Sequence, residues 1–160
     1  MKPNATIGLV LAAATAGGLA FMTLTDAQPA AAQETSVPQS MAMTIWRDPG
    51  CGCCDAYADY MENNGYQVTR VDDRDFDKRS VAAGVPQQGI GCHLAQIDGY
   101  YVSGLVPADI VGRLTTDRPD IIGITLPGMP GNAPGMAPVK TGTLKIYAFG
   151  EAGISVYSDE

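Results

Sequence analysis

The sequence predicts an α/β fold in which a mixed central sheet is flanked by helices, and three observations carry that prediction. Patterned segments run in the order strand, helix, strand, helix, hairpin, helix. A C-x-x-C motif, Cys51 to Cys54, stands between the first strand and the first helix. Two later apolar segments bracket Asp98-Gly99, the strongest short-range hairpin signal.

The elements follow in chain order. Residues 43–47 alternate as a short strand that Asp48-Pro49-Gly50 breaks. From Cys53 to about Asn64 the period turns helical, with Tyr57, Tyr60 and Met61 at three-to-four spacing and Asn64-Gly65 as the stop. Residues 66–71 read as a second strand, with Tyr66 and Val68 on one face. A charged stretch leads into a short helix over 76–83, ended by Gly84, and residues 85–91 form a loop. Residues 94–97 and 100–103 are the hairpin strands. Pro107 opens a helix to about Thr115 with Ile110, Val111 and Leu114 on one side. Residues 119–126 are an apolar turn or strand, and 127–138 a Gly-, Pro- and Met-rich loop. Two short strands, 144–149 and 154–157, close the chain.

This order is that of a thioredoxin-like arrangement, where a C-x-x-C motif sits at the start of the first helix. The segment entering the hairpin lies beside that motif in space. Here that segment is Gly91-Cys92-His93.

The chain has 160 residues, enough for one modest domain. Residues 1–32 read as a secretory leader: Lys2 near the start, an apolar run from Ile7 to Leu24, then Ala30-Ala31-Ala32 as an A-x-A cleavage site. The other reading is an uncleaved membrane anchor, although Gly, Ala and Thr dilute the run. Either way the folded part lies outside the cytoplasm, and the leader points to the periplasm. Residues 33–42 are polar and read as a linker to a domain over 43–160. Losing the leader removes one basic and one acidic residue, Lys2 and Asp26, so the net charge stays at −7. An acidic domain without a basic stripe is a poor match for nucleic acid or an anionic membrane.

The chain has four cysteines and one histidine, and all five fall in two short segments, Cys51-Gly52-Cys53-Cys54 and Cys92-His93. Such clustering predicts one shared site, either a soft-metal centre or a redox thiol pair. In an oxidising compartment, two structural disulfides are the ordinary reading of four cysteines. Cys51 with Cys54 and Cys53 with Cys92 would satisfy it, but that pairing leaves His93 without a role. Cys53 and Cys54 begin a helix, where free N–H groups and the dipole favour thiolate. Crowded thiolates repel, and a bound cation relieves the repulsion.

Thiolates with one imidazole suit Cu(I) or Zn(II). Zinc is the alternative, but three cysteines in four residues strain a single tetrahedron, whereas thiolate sulfur bridging two Cu(I) ions suits a crowded set. Met129 and Met136 are thioether candidates on the Gly/Pro loop, weighed against simple packing roles. Trp46 and Tyr57 read as core or pocket wall, and Asp48 and Asp55 as solvated acids. Nothing supports acyl transfer: Cys92 and His93 are sequence neighbours, and no oxyanion motif accompanies them.

Four segments together resemble a known family. They are Trp46-Arg47-Asp48-Pro49-Gly50-Cys51-Gly52-Cys53-Cys54, Cys92-His93, Gly104-Leu105-Val106-Pro107-Ala108-Asp109-Ile110, and the loop from Pro127-Gly128-Met129-Pro130 to Pro134-Gly135-Met136. In this order they resemble the small bacterial CopG-type proteins, associated with copper resistance. The resemblance covers nearly all of residues 43–157. It implies a thioredoxin-like fold, export to the periplasm, and copper held by Cys51, Cys53, Cys54 and Cys92, with His93 and Met136 as further ligands. The expected function is copper tolerance through a cysteine-rich, polynuclear Cu(I) site, by sequestration, transfer or copper redox. The expected partners are copper ions and another periplasmic copper protein. The competing expectation is a thiol–disulfide oxidoreductase using Cys51 and Cys54.

Overall fold

The structure is a computed structural model and describes residues 41–160. The leader expected over 1–32 and nearly all of the linker expected over 33–42 lie outside the described residues. Among the described residues, no helix is long and apolar enough to cross a membrane.

Seven strands form one mixed sheet: β1 (Ala42–Arg47), β2 (Gln67–Asp72), β3 (His93–Ile97), β4 (Tyr100–Ser103), β5 (Gly123–Thr125), β6 (Lys145–Gly150) and β7 (Gly153–Asp159). Three α-helices join them: α1 (Gly52–Asn63), α2 (Phe76–Ala82) and α3 (Ala108–Asp117). The sheet order is β2-β1-β3-β4-β5-β6-β7. β1 and β2 are parallel, β3 runs antiparallel to β1, and β4 antiparallel to β3. The first four strands with α1 and α3 are the thioredoxin-like arrangement that the sequence predicts.

The two faces follow from strand alternation. On one face Met43 and Ile45 of β1 and Ala95 and Ile97 of β3 pack with Tyr57, Ala58 and Met61 of α1 and Ile110, Val111 and Leu114 of α3. On the other, Leu94, Phe149 and Val85 form a smaller cluster with Trp46. The Arg79 guanidinium of α2 lies over the Trp46 ring, 4.9 Å from its centre. Each fully buried aliphatic chain of this kind contributes about 1.5–3 kcal/mol.

Several bounds differ from the sequence reading. β2 starts at Gln67, because Tyr66 is buried and its hydroxyl donates to the Ala108 carbonyl at 3.1 Å. Gln87–Gly89 forms a 3-10 turn inside the expected loop. The larger difference is the last hairpin. β5 pairs in parallel with β4, and β6 and β7 continue the same sheet. Period and turn chemistry mark such strands but do not say which edge they join.

Candidate metal centre

The first half of the site is built by a turn. The Cys51 N–H donates to the Asp48 carbonyl at 3.1 Å, and Cys51 becomes the N-cap of α1. Its own carbonyl accepts the N–H groups of Cys54 and Asp55, both at 3.1 Å. Cys53 and Cys54 therefore fall in the first turn, at the positive end of the helix dipole. Arg47 braces the turn: it is ion-paired with Asp55 at 2.9 Å and Asp72 at 2.8 Å, and donates to the Asp48 carbonyl at 3.3 Å. The Nε–H does not point along the Asp55 contact, so that pair is ionic rather than hydrogen-bonded. Asp55 is thus committed to Arg47.

The second half comes from the strand start beside it. His93 opens β3, and Cys92 precedes it. Gly91 bridges in parallel to Gly128, and its N–H donates to Ser103 Oγ at 3.0 Å. The Gly104 N–H donates to the His93 carbonyl at 3.1 Å. The backbones here approach too closely for side chains. A Cβ on Gly91 would stand 2.3 Å from Gly104 Cα, and one on Gly104, at φ +80°, would stand 2.3 Å from the Leu126 carbonyl oxygen. This contact carries the Pro127-Gly128-Met129 segment to the rim of the cysteine cluster. Farther along the same loop, Gly135 presses on α1, where a Cβ would be 2.6 Å from the Cys53 carbonyl oxygen.

The four sulfurs of Cys51, Cys53, Cys54 and Cys92 all lie within 4.8 Å of one another. Cys51 and Cys54 are joined in a disulfide of 2.03 Å, and Cys53 and Cys92 are free. Cys53 Sγ is 3.5 Å from Cys51 Sγ and 3.8 Å from Met129 Sδ. Cys54 is fully buried, with its Sγ 3.3 Å from the Cys92 carbonyl oxygen. That is a contact rather than a hydrogen bond, since a disulfide sulfur carries no proton. Cys92 Sγ is 3.5 Å from His93 Nδ1.

His93 is completely buried behind Cys92, with its ring centre 4.7 Å from that of Tyr57. Burial pushes its pKa down to about 3, so the imidazole is neutral. Its Nε2 is buried without a hydrogen-bond partner. The Tyr57 hydroxyl donates to the Val106 carbonyl at 2.8 Å, which ties α1 to the entrance of α3. Burial, reinforced by neighbouring Cys53, pushes the Cys92 thiol up to about 12. Without a cation Cys92 stays a neutral thiol. A metal that binds here displaces protons and supplies the charge that stabilises thiolate.

Every predicted cysteine is therefore in the cluster, and His93 is in contact with it through Cys92. The two methionines are placed differently. Met129 is 56% exposed at the rim, with its sulfur against Cys53. Met136 is 43% exposed in a groove beside Ala56, Asp59, Tyr60 and Asn63. Both follow a Pro-Gly pair, so local sequence does not separate them. The Gly91–Gly128 bridge does.

Known proteins give a consistent picture. A family model described as "Protein of unknown function, DUF411" matches residues 90–136. No curated protein matches the chain. Two solved structures named "Copper resistance protein copG", Form 1 and Form 2, are each 33% identical, with TM-scores of 0.68. Form 1 aligns with 76% of this chain and 98% of its own, and Form 2 with 74% and 97%. At that identity and coverage, with the cysteine cluster assembled on the shared fold, this chain belongs to the CopG copper-resistance protein family.

Proposed function

We propose that this is a periplasmic copper-binding protein that holds Cu(I) in a polynuclear site made by Cys51, Cys53, Cys54 and Cys92 and acts in copper tolerance. One observation carries the reading: four sulfurs from two separate chain segments stand within 4.8 Å of one another at a helix start. Soft thiolates suit Cu(I), and sulfurs this close can each bridge two ions. Names of the structural relatives support copper as the cargo. The leader-like pattern of residues 1–32 supports the periplasm.

Each residue has a task in this reading. The reduced cysteines give up their protons as copper arrives. Met129 offers a thioether at the solvent side, a first and last contact for a moving ion. His93 stays neutral and packs Cys92 toward the other three sulfurs. The arrangement suits sequestration and transfer, and a partner copper protein would meet the site at the Met129 rim.

Anaerobic titration of the reduced chain with Cu(I) against a competing chelator tests this. More than one copper per chain, with fewer in Cys92→Ala, is the expected result. Failure to compete with a weak chelator would sink the reading. The second reading, a thiol–disulfide oxidoreductase, is favoured by the Cys51–Cys54 disulfide. Insulin reduction at a rate far above that of a free dithiol would move the assignment there.

A further inference from the structure

Two of the four sulfurs that would hold copper are bonded to each other. A disulfide sulfur has no thiolate charge, so the oxidised site offers only Cys53 and Cys92, with Met129 beside Cys53. The two bonded cysteines are unequally accessible. Cys54 has no exposed surface and lies under the Cys92 backbone. Cys51 is partly exposed, and its neighbours Gly50 and Gly52 are exposed, with open space where a Cβ would stand.

Building on the copper reading above, we propose that the Cys51–Cys54 disulfide is a substrate for exchange with an external dithiol, attacked at Cys51, and that this reaction switches the copper site on. The first thiolate of the dithiol bonds to Cys51 Sγ. The Cys51–Cys54 bond breaks, and Cys54 leaves as thiolate and takes a proton. The second thiol of the dithiol then attacks its own sulfur in the mixed disulfide. The dithiol closes into a disulfide, and Cys51 is released and protonated. Two electrons and two protons pass from the dithiol to the protein, and copper changes oxidation state nowhere in the sequence. Four thiols then face one another, and Cu(I) displaces their protons. The reverse reaction, with an external disulfide as oxidant, removes two ligands at once and expels the ion. The partner this requires is a dithiol protein or small dithiol.

The linkage is reciprocal: an ion that binds only the four-thiol form stabilises that form. With free Cu(I) at about 100 times its Kd, the reduced site becomes about 100-fold harder to oxidise.

The full chain is prepared oxidised, and separately reduced with a phosphine, and thiols are counted by alkylation and mass. Each form is titrated with chelator-buffered Cu(I) under argon. The expected result is two thiols and affinity at least about 100-fold weaker for the oxidised form, and four thiols and tight binding for the reduced form. Adding a dithiol to the oxidised form restores tight binding. A monothiol adduct trapped on the oxidised chain maps to Cys51. Equal affinity of the two forms, four thiols that resist oxidation, or an adduct on Cys54 would overturn the proposal. A four-thiol form that holds no Cu(I) is a different failure, because it removes the copper reading itself. Cys53→Ser with Cys92→Ser separates the two chemistries: a dithiol still opens the disulfide, but Cu(I) no longer protects it from reoxidation. Persistent protection in that variant contradicts the switch.

Discussion

Met129 Sδ stands 3.8 Å from Cys53 Sγ, across 76 residues of chain, and this contact joins the Gly/Pro loop to the cysteine turn. It places the Met129 thioether against the cluster, while Met136 lines a groove along α1. Met129→Leu keeps the volume and removes the thioether. Competitive titration should show Cu(I) affinity falling roughly tenfold, or about 1.4 kcal/mol, while Met136→Leu changes it less than about threefold. Thermal stability of both variants should stay within about 0.5 kcal/mol, because both side chains are well exposed.

Gly104 lets three backbone segments meet. Gly104→Ala would drive a Cβ to 2.3 Å from the Leu126 carbonyl oxygen, at a φ of +80° that side chains rarely adopt. Urea unfolding should show a loss of about 3 kcal/mol or more. In whatever fraction still folds, copper stoichiometry should fall, because Cys92 and Met129 are both positioned through this contact.

His93 makes stability depend on pH. Its folded pKa is about 3 and its unfolded value about 6.5, so the unfolded chain binds the proton first as acid is added. Stability is full above about pH 6.5 and is lost as pH falls toward 3, at up to about 1.4 kcal/mol per unit. The carboxyls of Asp73 and Glu62, held low by side-chain hydrogen bonds from Arg79 and Arg70, add a background loss at more acid pH. His93→Phe keeps a ring against Tyr57 and cannot titrate. Denaturant midpoints measured between pH 4 and 7 should show a flatter slope for the variant; an unchanged slope would place the acid sensitivity elsewhere.

Tyr57→Phe removes one buried hydrogen bond, to the Val106 carbonyl, and leaves the His93 ring contact in place. Stability should fall by about 1–2 kcal/mol. Copper bound per reduced chain should match the parent, since no donor to the metal has changed.

Much of this was legible in residue order. The C-x-x-C motif at a helix start, the Asp98-Gly99 turn, and the stripe of Ile110, Val111 and Leu114 are local signals, and each element stands within a few residues of its expected bounds. The meeting of Cys92 with Cys51, Cys53 and Cys54 follows from the topology that the element order predicts. What was not legible depends on distant pairing. The parallel β4–β5 pair, which extends the sheet to seven strands, leaves no mark on a three-residue strand such as Gly123–Thr125. The choice between Met129 and Met136 rests on the Gly91–Gly128 bridge, and both methionines follow the same Pro-Gly pair. The state of Cys51 and Cys54 was open as well, because the same spacing serves a disulfide and a ligand pair.

Copper X-ray absorption on the reduced, copper-loaded chain tests the central claim most directly. A nearest shell of sulfur alone, with a second copper scatterer close behind it that is lost in Cys92→Ala, is what a shared thiolate cluster predicts. A shell dominated by nitrogen and oxygen, with no copper neighbour, would contradict it.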